Sequence, residues 1–354
     1  MTLLITTSKT PIGNLNLIAD EHVLLGANLS SISALKSGLD VSDQIREIKV
    51  VKSIPIISDL TAAETLLEGY VRTDKIEINQ DVVRGLLAKT YGALNNWPKT
   101  EEYAAKVVTS GKYPIMTADE VALLPGESGA VGGFNDINSI NGVMWGIDIT
   151  PAGQGLASLY SWWGFMDYYS YSYAAVGNRK GMDSNLYANF KADDIRKNQF
   201  NSILMPTGKF YYKGADANNF RPFSGPQSNI DSDSHYMRVA EMYLLHAEAA
   251  AENGNDGAAR SSLKALLDLR IGDSSYVDAL SGKALAEEAA LQARLELFAE
   301  GQSYFIMKRR RETRTRGANW LDNAGESFSH TDERLTYEIP QAEITFNPNL
   351  SEQN

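Results

Sequence analysis

Residues 236–249 read YMRVAEMYLLHAEA, and this stretch decides the fold because it carries the clearest helical pattern in the chain. The small and apolar residues that share one helix face are Met237, Ala240, Leu244, Ala247 and Ala251. Their spacing predicts a helix over Tyr236–Glu252, a break at Gly254-Asn255-Asp256 and a partner helix over Gly257–Leu269. Alanines on the shared face let two antiparallel helices approach closely. The stretch therefore predicts a helical hairpin.

The same hairpin plan occurs earlier in the chain, offset by 159 residues (247 minus 88). The pattern there predicts a helix over Asp81–Leu94, a break at Asn95-Asn96-Trp97-Pro98 and a second helix over Lys99–Ser110. Superposition places Ala88, Thr100, Ala104 and Val107 on Ala247, Ala259, Leu263 and Leu266. That spacing is typical of tetratricopeptide-type hairpins. A further helix is predicted over Ile56–Leu67, and a long one over about Leu285–Arg309 would supply the packing face that each hairpin needs.

Between the hairpins, residues 114–235 change in character. Gly, Asn, Ser and aromatic residues dominate, and turns such as Gly132-Gly133 and Asn141-Gly142 interrupt any helical period. Binding residues tend to lie on loops that a rigid scaffold holds. We therefore expect a mainly α fold in one domain over residues 1–354, with helical hairpins, a loop-rich, aromatic-rich insertion and little β structure. Its parts would be residues 1–55, with little assigned, residues 56–113 with the first hairpin, residues 114–235 with the ligand-binding insertion, and residues 236–354 with the second hairpin and the long helix.

Composition and charge exclude some classes of function. The 354-residue chain has a formal net charge of −11, which disfavours nucleic acid as a partner because phosphate binding needs clustered Lys and Arg. The one basic run, Lys308–Arg311, is expected to end a helix and to complement its dipole.

The chain has no cysteine, which excludes disulfides and thiolate chemistry. No apolar run reaches the length of a membrane-spanning helix, and Met1–Ile5 lacks the basic leader of a secretory signal, so an exported form is expected to have had its signal removed.

Aromatic residues concentrate in the insertion around Trp162-Trp163. The candidate ligand-binding residues are Trp145, Tyr160, Trp162, Trp163, Tyr168, Tyr169 and Tyr171. Flat aromatic rings stack on the C–H faces of sugars, and tyrosine hydroxyls can hydrogen-bond sugar oxygens. Alternation over residues 169–173 would place the tyrosines on one face of a strand. The same residues could instead form an aromatic core beneath loops, and the sequence leaves both interpretations open.

Catalytic and metal-binding patterns are weak. The four histidines, His22, His235, His246 and His330, are scattered, and none belongs to a metal-binding helix motif. His246 is expected to be a packed or hydrogen-bonded residue, and adjacent carboxylates such as Asp193-Asp194 are expected at solvated helix starts. The run Asp231–Ser234 could hold calcium, but its expected role is to cap the helix predicted from Tyr236. We therefore expect no catalytic residue, no metal and no cofactor.

Five segments, in the right order, resemble the SusD/RagB family. Residues 236–249 resemble the family's Arg-Tyr-Ala-Glu…Tyr-Ala-Glu-Ala helix, and Glu296–Gly301 with Met307-Lys308-Arg309 resemble its Glu-Leu-Ala-Phe-Glu-Gly…Leu-Lys-Arg segment. The tail, Ile339–Ile344 with Asn347–Leu350, resembles the family's C-terminal Ile-Pro-Gln-x-Glu-Ile…Asn-Pro-Asn-Leu signature. Leu86–Tyr91 with Val107–Tyr113 match the family's first hairpin, and Asp194-Ile195-Arg196 lies where the family often has Asp-x-Arg. Together these matches cover about residues 56 to 354. On them the chain is identified as similar to SusD/RagB proteins.

The resemblance implies a lipoprotein on the external face of a Gram-negative outer membrane. Such a protein is lipid-anchored in its full-length precursor, and the cysteine that would carry the anchor is absent from this chain. It would bind an oligosaccharide, or in some members a peptide, and deliver it to a SusC-like TonB-dependent outer-membrane transporter for nutrient uptake. The hairpins would form the scaffold and the transporter contact, and the insertion would hold the ligand.

Several functions stay open at this point. The leading hypothesis is binding of a glycan without turnover, because aromatic residues are abundant and a catalytic set is missing. The alternatives are a peptide-binding member of the same family and a helical-repeat scaffold that binds only protein, with the aromatic stretch as core. A carbohydrate-cleaving enzyme would need two carboxylates facing each other across a cleft, and a sequence cannot show that geometry.

Overall fold

The computed structural model describes residues 55–122, 137–138, 140–148, 181–200, 204, 233–298, 300–336 and 338–347. The chain divides into two compact units. One unit is Lys52–Ser327, and the other combines Met1–Val51 with Phe328–Asn354. Both predicted hairpins and the predicted ligand-binding insertion belong to the larger unit.

Helices dominate the described residues. The α-helices are α1 (55–66), α2 (Gln80–Ala93), α3 (Trp97–Val108), α4 (Ala118–Ala122), α5 (Ser184–Tyr187), α6 (Val239–Glu252), α7 (Asp256–Leu267), α8 (Gly282–Glu296), α9 (Gln302–Arg310) and α10 (Gln341–Phe346). The strands are β1 (Val143–Ile147), β2 (Ser234–Arg238), β3 (Thr313–Thr315) and β4 (Ser327–Ser329), paired as β1 with β2 and β3 with β4. Short 3-10 helices cover Ile195–Gln199, Ser275–Ala279 and Glu333–Leu335. The predicted mainly α fold with little β structure is confirmed for the part of the chain that the structure describes.

The first hairpin, α2 and α3, forms close to where the sequence predicts it. Asn79 caps α2 and Asn96 caps α3, each by accepting a backbone N–H of the first turn with its side chain. Asn95, between the helices, has a φ of +56°, a left-handed conformation that asparagine adopts more readily than most residues. Pro98 lies in the first turn of α3, where its missing N–H has no helical partner to lose. Local side-chain chemistry therefore sets both ends of the turn.

Burial confirms the superposition of the two hairpins. All eight superposed positions are at most 1% exposed: Ala88, Thr100, Ala104, Val107, Ala247, Ala259, Leu263 and Leu266. The second hairpin consists of α6 and α7, and α6 also contacts α2, α3 and α8. Twelve of the 14 residues of α6 are buried. Its alanine-rich sequence is what allows so many helices to approach one central helix.

The predicted long helix over Leu285–Arg309 is wrong, because the structure has two helices there. Helix α8 ends at Glu296, and α9 starts after Gly301, whose φ of +76° is a left-handed conformation that a helix interior does not contain. Leu285 and Ile306 nevertheless lie in the same hydrophobic core. The apolar period continues across the break, and periodicity alone therefore does not reveal it.

The helix predicted from Tyr236 begins instead at Val239. Residues 234–238 form β2, which pairs antiparallel with β1. The apolar helical period runs back from Ala240 to Met237, so the local pattern favours helix through this segment. Pairing with a strand about 90 residues away in sequence overrides that pattern, since the ladder satisfies the backbone groups in the extended conformation.

The run Asp231–Ser234 does not have the predicted capping role. The N-cap of α6 is Arg238, and its side chain makes no cap hydrogen bond. Asp233 instead accepts the Ile137 N–H at 2.8 Å, since β2 separates the run from the helix. Asp231 and Ser232 lie outside the described residues.

The basic run ends α9 as predicted and also joins α9 to α6. Helix α9 ends at Arg310. Arg309 and Arg310 both pair with the fully buried carboxylate of Glu248 on α6, at 2.5 and 3.1 Å. These cations therefore neutralise a buried charge in addition to facing the negative end of the helix dipole.

Two neighbouring alanines of α7 provide a matched test of hairpin packing. Ala259 is buried in the core shared with α6, whereas Ala258 is exposed. Ala259→Leu is expected to lower the free energy of unfolding by about 1–3 kcal/mol, because the added carbons have no space. Ala258→Leu is expected to change it by less than about 0.5 kcal/mol. Urea denaturation followed by circular dichroism measures both values, and equal effects would contradict a close-packed hairpin.

Candidate ligand-binding surface

Trp145 lies in β1, which pairs with β2. It is the one predicted ligand-binding residue within the described ranges. The antiparallel register pairs Trp145 with Met237 and Gly146 with His235, and the ladder is irregular on both sides of Trp145. Such irregularities turn side chains away from the directions of a regular strand. The sheet therefore positions the indole ring by its backbone pairing.

Trp145 contacts a second aromatic ring, that of Tyr236. The ring centroids are 4.9 Å apart and the ring planes are inclined by 65°, which is an edge-to-face arrangement. Tyr236 is 44% exposed, and Trp145 is partly exposed. Partial burial raises the pKa of the Tyr236 phenol, so its hydroxyl is protonated and can donate at neutral pH. The pair therefore offers solvent both apolar ring surface and a hydrogen-bond donor.

A loop that follows α1 holds β1 from the side. The Gly146 N–H donates to the Lys75 carbonyl at 3.3 Å, and the Arg72 guanidinium donates to the Met144 carbonyl. The Lys75 ammonium donates to two carbonyls that precede β1, at 2.5 and 2.7 Å. All of these contacts involve main-chain groups of β1 or of the residues before it, so they do not depend on the side chains of the strand. Trp145 is therefore held in place by β2 and by this loop.

Six of the seven predicted ligand-binding residues lie outside the described residues. They are Tyr160, Trp162, Trp163, Tyr168, Tyr169 and Tyr171. Their part in a site stays a prediction. Tyr236, in contrast, was not predicted, because the helical period that runs through Met237 assigned its position to a helix. Only its place beside Trp145 in the sheet identifies it.

Arg238, at the end of β2, anchors the sheet to the helices. Its guanidinium donates to the Glu296 carboxylate at 3.2 Å, to the Glu296 carbonyl at 2.8 Å and to the Glu300 carboxylate at 2.7 Å. Arg270 binds the same Glu296 carboxylate through two donors, both at 3.0 Å. Bidentate pairing of this kind fixes geometry as well as charge. The position of β2, and with it that of Tyr236, is thereby tied to the end of α8.

A second part of this network involves Asp194 and Arg196. Asp194 begins the 3-10 helix Ile195–Gln199 and binds the Arg196 guanidinium at 2.9 and 2.6 Å. Arg196 also donates to Gln292 at 2.7 Å and to Glu296 at 3.4 Å. The expectation of a solvated helix start is wrong for Asp194, which is buried. An arginine replaces water as its partner, which is the condition for burying a carboxylate.

Glu296 lies at the centre of these ion pairs and is buried. Burial by itself raises its pKa, but the guanidinium groups of Arg270 and Arg238 outweigh burial and hold the pKa of Glu296 well below its usual range. Glu296 is therefore ionised at neutral pH, and its carboxylate oxygens are occupied by arginine donors. That environment suits a structural ion pair and does not suit a general acid.

His246 is packed and hydrogen-bonded, as predicted. Its Nδ1 lies 2.7 Å from the Ser262 hydroxyl, and burial lowers the pKa of His246. Within the described ranges no three His, Cys, Asp or Glu side chains converge as a metal site would require. In those ranges every helix is also too short or too polar to cross a lipid bilayer.

Comparison with known families is decisive. The sequence model of the SusD family matches residues 158–354, which is more than half of the chain. The chain belongs to the SusD family. The predicted resemblance is thereby confirmed, and its Asp-x-Arg, Glu-Leu and C-terminal segments all fall inside the matched range. No curated protein matches the chain.

Solved structures with the same fold support the SusD assignment. A SusD superfamily protein from Bacteroides thetaiotaomicron is 22% identical, with a TM-score of 0.61 over 85% of this chain and 65% of its own. A SusD-like carbohydrate-binding protein from Bacteroides vulgatus is 24% identical, with a TM-score of 0.60 over 86% and 65%. Surface glycan-binding protein A from Bacteroides uniformis is 19% identical, with a TM-score of 0.53 over 85% and 68%. The chain thus spans less than two thirds of the first two structures, and the likeness shows the fold.

The Glu296 network can be tested against an exposed carboxylate on the same helix. Glu296→Gln is expected to lower the free energy of unfolding at neutral pH by about 3–5 kcal/mol, because buried arginines lose their shared counter-charge. Glu287→Gln, at an exposed position of α8, is expected to change it by less than about 0.5 kcal/mol. Chemical denaturation measures both variants against the unchanged protein.

The stabilising effect of Glu296 is expected to depend on pH. The pKa of Glu296 is lower in the folded protein than in the unfolded chain, where it is about 4.3. The contribution of Glu296 to the free energy of unfolding is therefore present above about pH 4.3 and is lost as the pH falls below it. The difference in unfolding free energy between the unchanged protein and Glu296→Gln should therefore shrink below about pH 4.3. A difference that stayed constant over this range would contradict the ionic role of Glu296.

Proposed function

We propose that this protein binds an oligosaccharide at the bacterial cell surface without cleaving it and delivers it to a SusC-like TonB-dependent outer-membrane transporter. Membership of the SusD family is the observation that carries the proposal. Two proteins with similar structures, named as a SusD-like carbohydrate-binding protein and a surface glycan-binding protein, support it. In this proposal the full-length protein is lipid-anchored on the external face of the outer membrane.

The proposed ligand surface starts from Trp145 and Tyr236. Two partly exposed rings in edge-to-face contact offer apolar surface for the C–H face of a sugar, and the Tyr236 hydroxyl offers a hydrogen-bond donor. The remaining residues of the proposed site are Tyr160, Trp162, Trp163, Tyr168, Tyr169 and Tyr171. They follow β1 in the sequence and belong to the same insertion.

Binding without turnover is supported by the state of the buried carboxylates. Glu296, Asp194 and Glu248 each accept hydrogen bonds from arginine side chains. A carboxylate engaged in this way cannot exchange a proton with a substrate at neutral pH. Glycoside hydrolysis needs two carboxyl groups across a cleft, one as general acid and the other as general base or nucleophile.

A separate feature favours a protein contact. Leu66 and Val71 are more than 80% exposed, and Tyr70 and Ile76 in the same segment are about half exposed. Exposed apolar side chains close together in the chain often mark a surface that binds another protein. We propose this segment as part of the contact with the transporter.

Titration calorimetry with a panel of oligosaccharides tests the ligand site. For a glycan that binds, Trp145→Ala is expected to weaken affinity by about two- to tenfold, because it removes one aromatic contact. The double change Trp162→Ala with Trp163→Ala is expected to weaken it by about tenfold or more. Phe346→Ala removes an exposed aromatic ring elsewhere and is expected to leave affinity unchanged.

The outcomes separate the candidate functions. Unchanged affinity in the Trp162/Trp163 double variant would show that the aromatic stretch is not the site. Binding of a peptide but of no glycan would make the protein a peptide-binding member of the family. Retention of a co-expressed SusC-like transporter without binding of either ligand would favour a protein-only scaffold. Sustained release of reducing ends, abolished by one carboxylate change, would show an enzyme.

A further inference from the structure

Two arginine side chains meet at an exposed serine in the first turn of α9. The Arg314 guanidinium, from β3, donates to the Ser303 hydroxyl at 2.9 Å and to the Ser303 carbonyl at 2.6 Å. Arg294, from α8, reaches the same hydroxyl with its Nε at 3.4 Å. Ser303 is exposed, and both arginines are partly exposed. Three elements therefore bring two cations to one point that solvent can reach.

Arg294 differs from the buried arginines of the larger unit. Arginines that are buried or nearly so and that have a carboxylate within 4.0 Å are Arg196, Arg238, Arg270, Arg309 and Arg310. Arg314 likewise binds Glu312 at 2.7 Å. Among the described residues, Arg294 has no carboxylate at that distance, and its one hydrogen bond is the long one to Ser303. The Nη1 and Nη2 groups of Arg294 donate to no described residue.

Burial and a neighbouring cation both act against the charged form of Arg294. Burial, followed by the like charge of Arg314, lowers the pKa of Arg294 to about 10. Glu312 and Asp183 act in the opposite direction but do not balance these two effects. A partly buried cation beside another cation is costly unless an anion joins them. A bound anion would offset part of this cost.

We propose that Arg294 and Arg314, with the Ser303 hydroxyl, form a binding site for the anionic group of an acidic ligand, namely the carboxylate of a uronic acid or a sulfate ester on a glycan. The planar guanidinium of Arg294 can bind either group through its paired Nη donors, and the serine hydroxyl adds a third donor. Arg314 binds Glu312 with its Nε and Nη2 and so contributes mainly its position beside Ser303. The first turn of α9 adds partial positive charge, although a helix terminus alone would not make a site. The glycan part of this inference rests on the proposed function.

Asp183, whose charge acts on Arg294, also binds an exposed aromatic ring. The Asp183 carboxylate acts on the charge of Arg294 and also accepts the Trp320 indole N–H at 2.5 Å. Trp320 is 44% exposed, and the Arg316 guanidinium lies 4.2 Å from the centre of its ring. An acidic sugar needs both a cation for its acid group and an apolar surface for its ring. Both features are present in this part of the unit.

Anion titration of the intact chain tests the proposal. Sodium glucuronate and sodium sulfate are expected to bind saturably at an ionic strength held constant with sodium chloride, whereas glucose is not. Arg294→Met is expected to weaken both anions by about tenfold or more, because charge-assisted hydrogen bonds are lost. Lys283→Gln, at a position of α8 whose side chain is 86% exposed, removes the same charge away from the site and is expected to leave binding unchanged.

Thermal unfolding provides a second readout. In chloride alone, Arg294→Met is expected to be at least as stable as the unchanged protein, since it removes a partly buried cation that has no carboxylate within 4.0 Å among the described residues. Sulfate is expected to raise the unfolding temperature of the unchanged protein more than that of the variant. Equal stabilisation of both by sulfate would overturn the proposal.

Other outcomes would overturn either the anion site or the proposed function. Absence of anion binding by the unchanged protein would overturn the site, as would undiminished binding in both Arg294→Met and Arg314→Met. If Arg294→Met does not fold, two other measurements test the site: anion binding by Arg314→Met, and the position of selenate in crystals of the unchanged protein. Selenate bound away from Arg294 and Arg314 would contradict the proposed site. Glucuronate bound at Arg294 without any oligosaccharide binding would remove the proposed function alone. Neutral oligosaccharide bound without any anion binding would remove this site alone.

Discussion

The buried carboxylate of Glu296 is the constraint on which the arrangement of the larger unit depends. Arg196, Arg238 and Arg270 converge on it from three separate segments. Arg270 also donates to the Met116 carbonyl at 2.9 Å, at the start of the insertion between the hairpins. Arg196 lies within that insertion, and Arg238 follows its end. One buried negative charge thus fastens the insertion to the helical scaffold at three points, and each point depends on the others because an unpaired buried charge is costly.

The scaffold itself is rigid for a different reason. Alanine and other small residues line the faces of α6, α7, α2 and α3, so the helices approach closely and leave little room for movement. The insertion has few regular elements among the described residues. Polar contacts and an apolar cluster, in which Phe190 and Phe200 pack with Leu295 of α8, join it to this scaffold. Such a division suits a binding protein, since loops supply contact residues while packed helices keep them in place.

Charged side chains fall into two groups in this unit. Arg238 and Arg270 are fully buried and fully matched by carboxylates, which makes them structural. Arg294 and Arg314 are partly exposed, and among the described residues Arg294 has no carboxylate within 4.0 Å. A protein with a net charge of −11 that brings two arginines to one accessible hydroxyl has local positive charge that can attract an anionic ligand despite its overall charge.

The sequence by itself determined the two hairpins and the family. Helical periodicity, asparagine caps and small residues at fixed spacing are local properties, and the family segments are contiguous in the chain. The tertiary structure alone decided that Tyr236 lies in a strand beside Trp145, that the chain breaks at Gly301 and that Glu296 gathers three arginines. It also decided that Arg294 meets Arg314 at the Ser303 hydroxyl. These features depend on partners far apart in the sequence, and a local pattern holds no information about which distant side chain or strand will satisfy a given group.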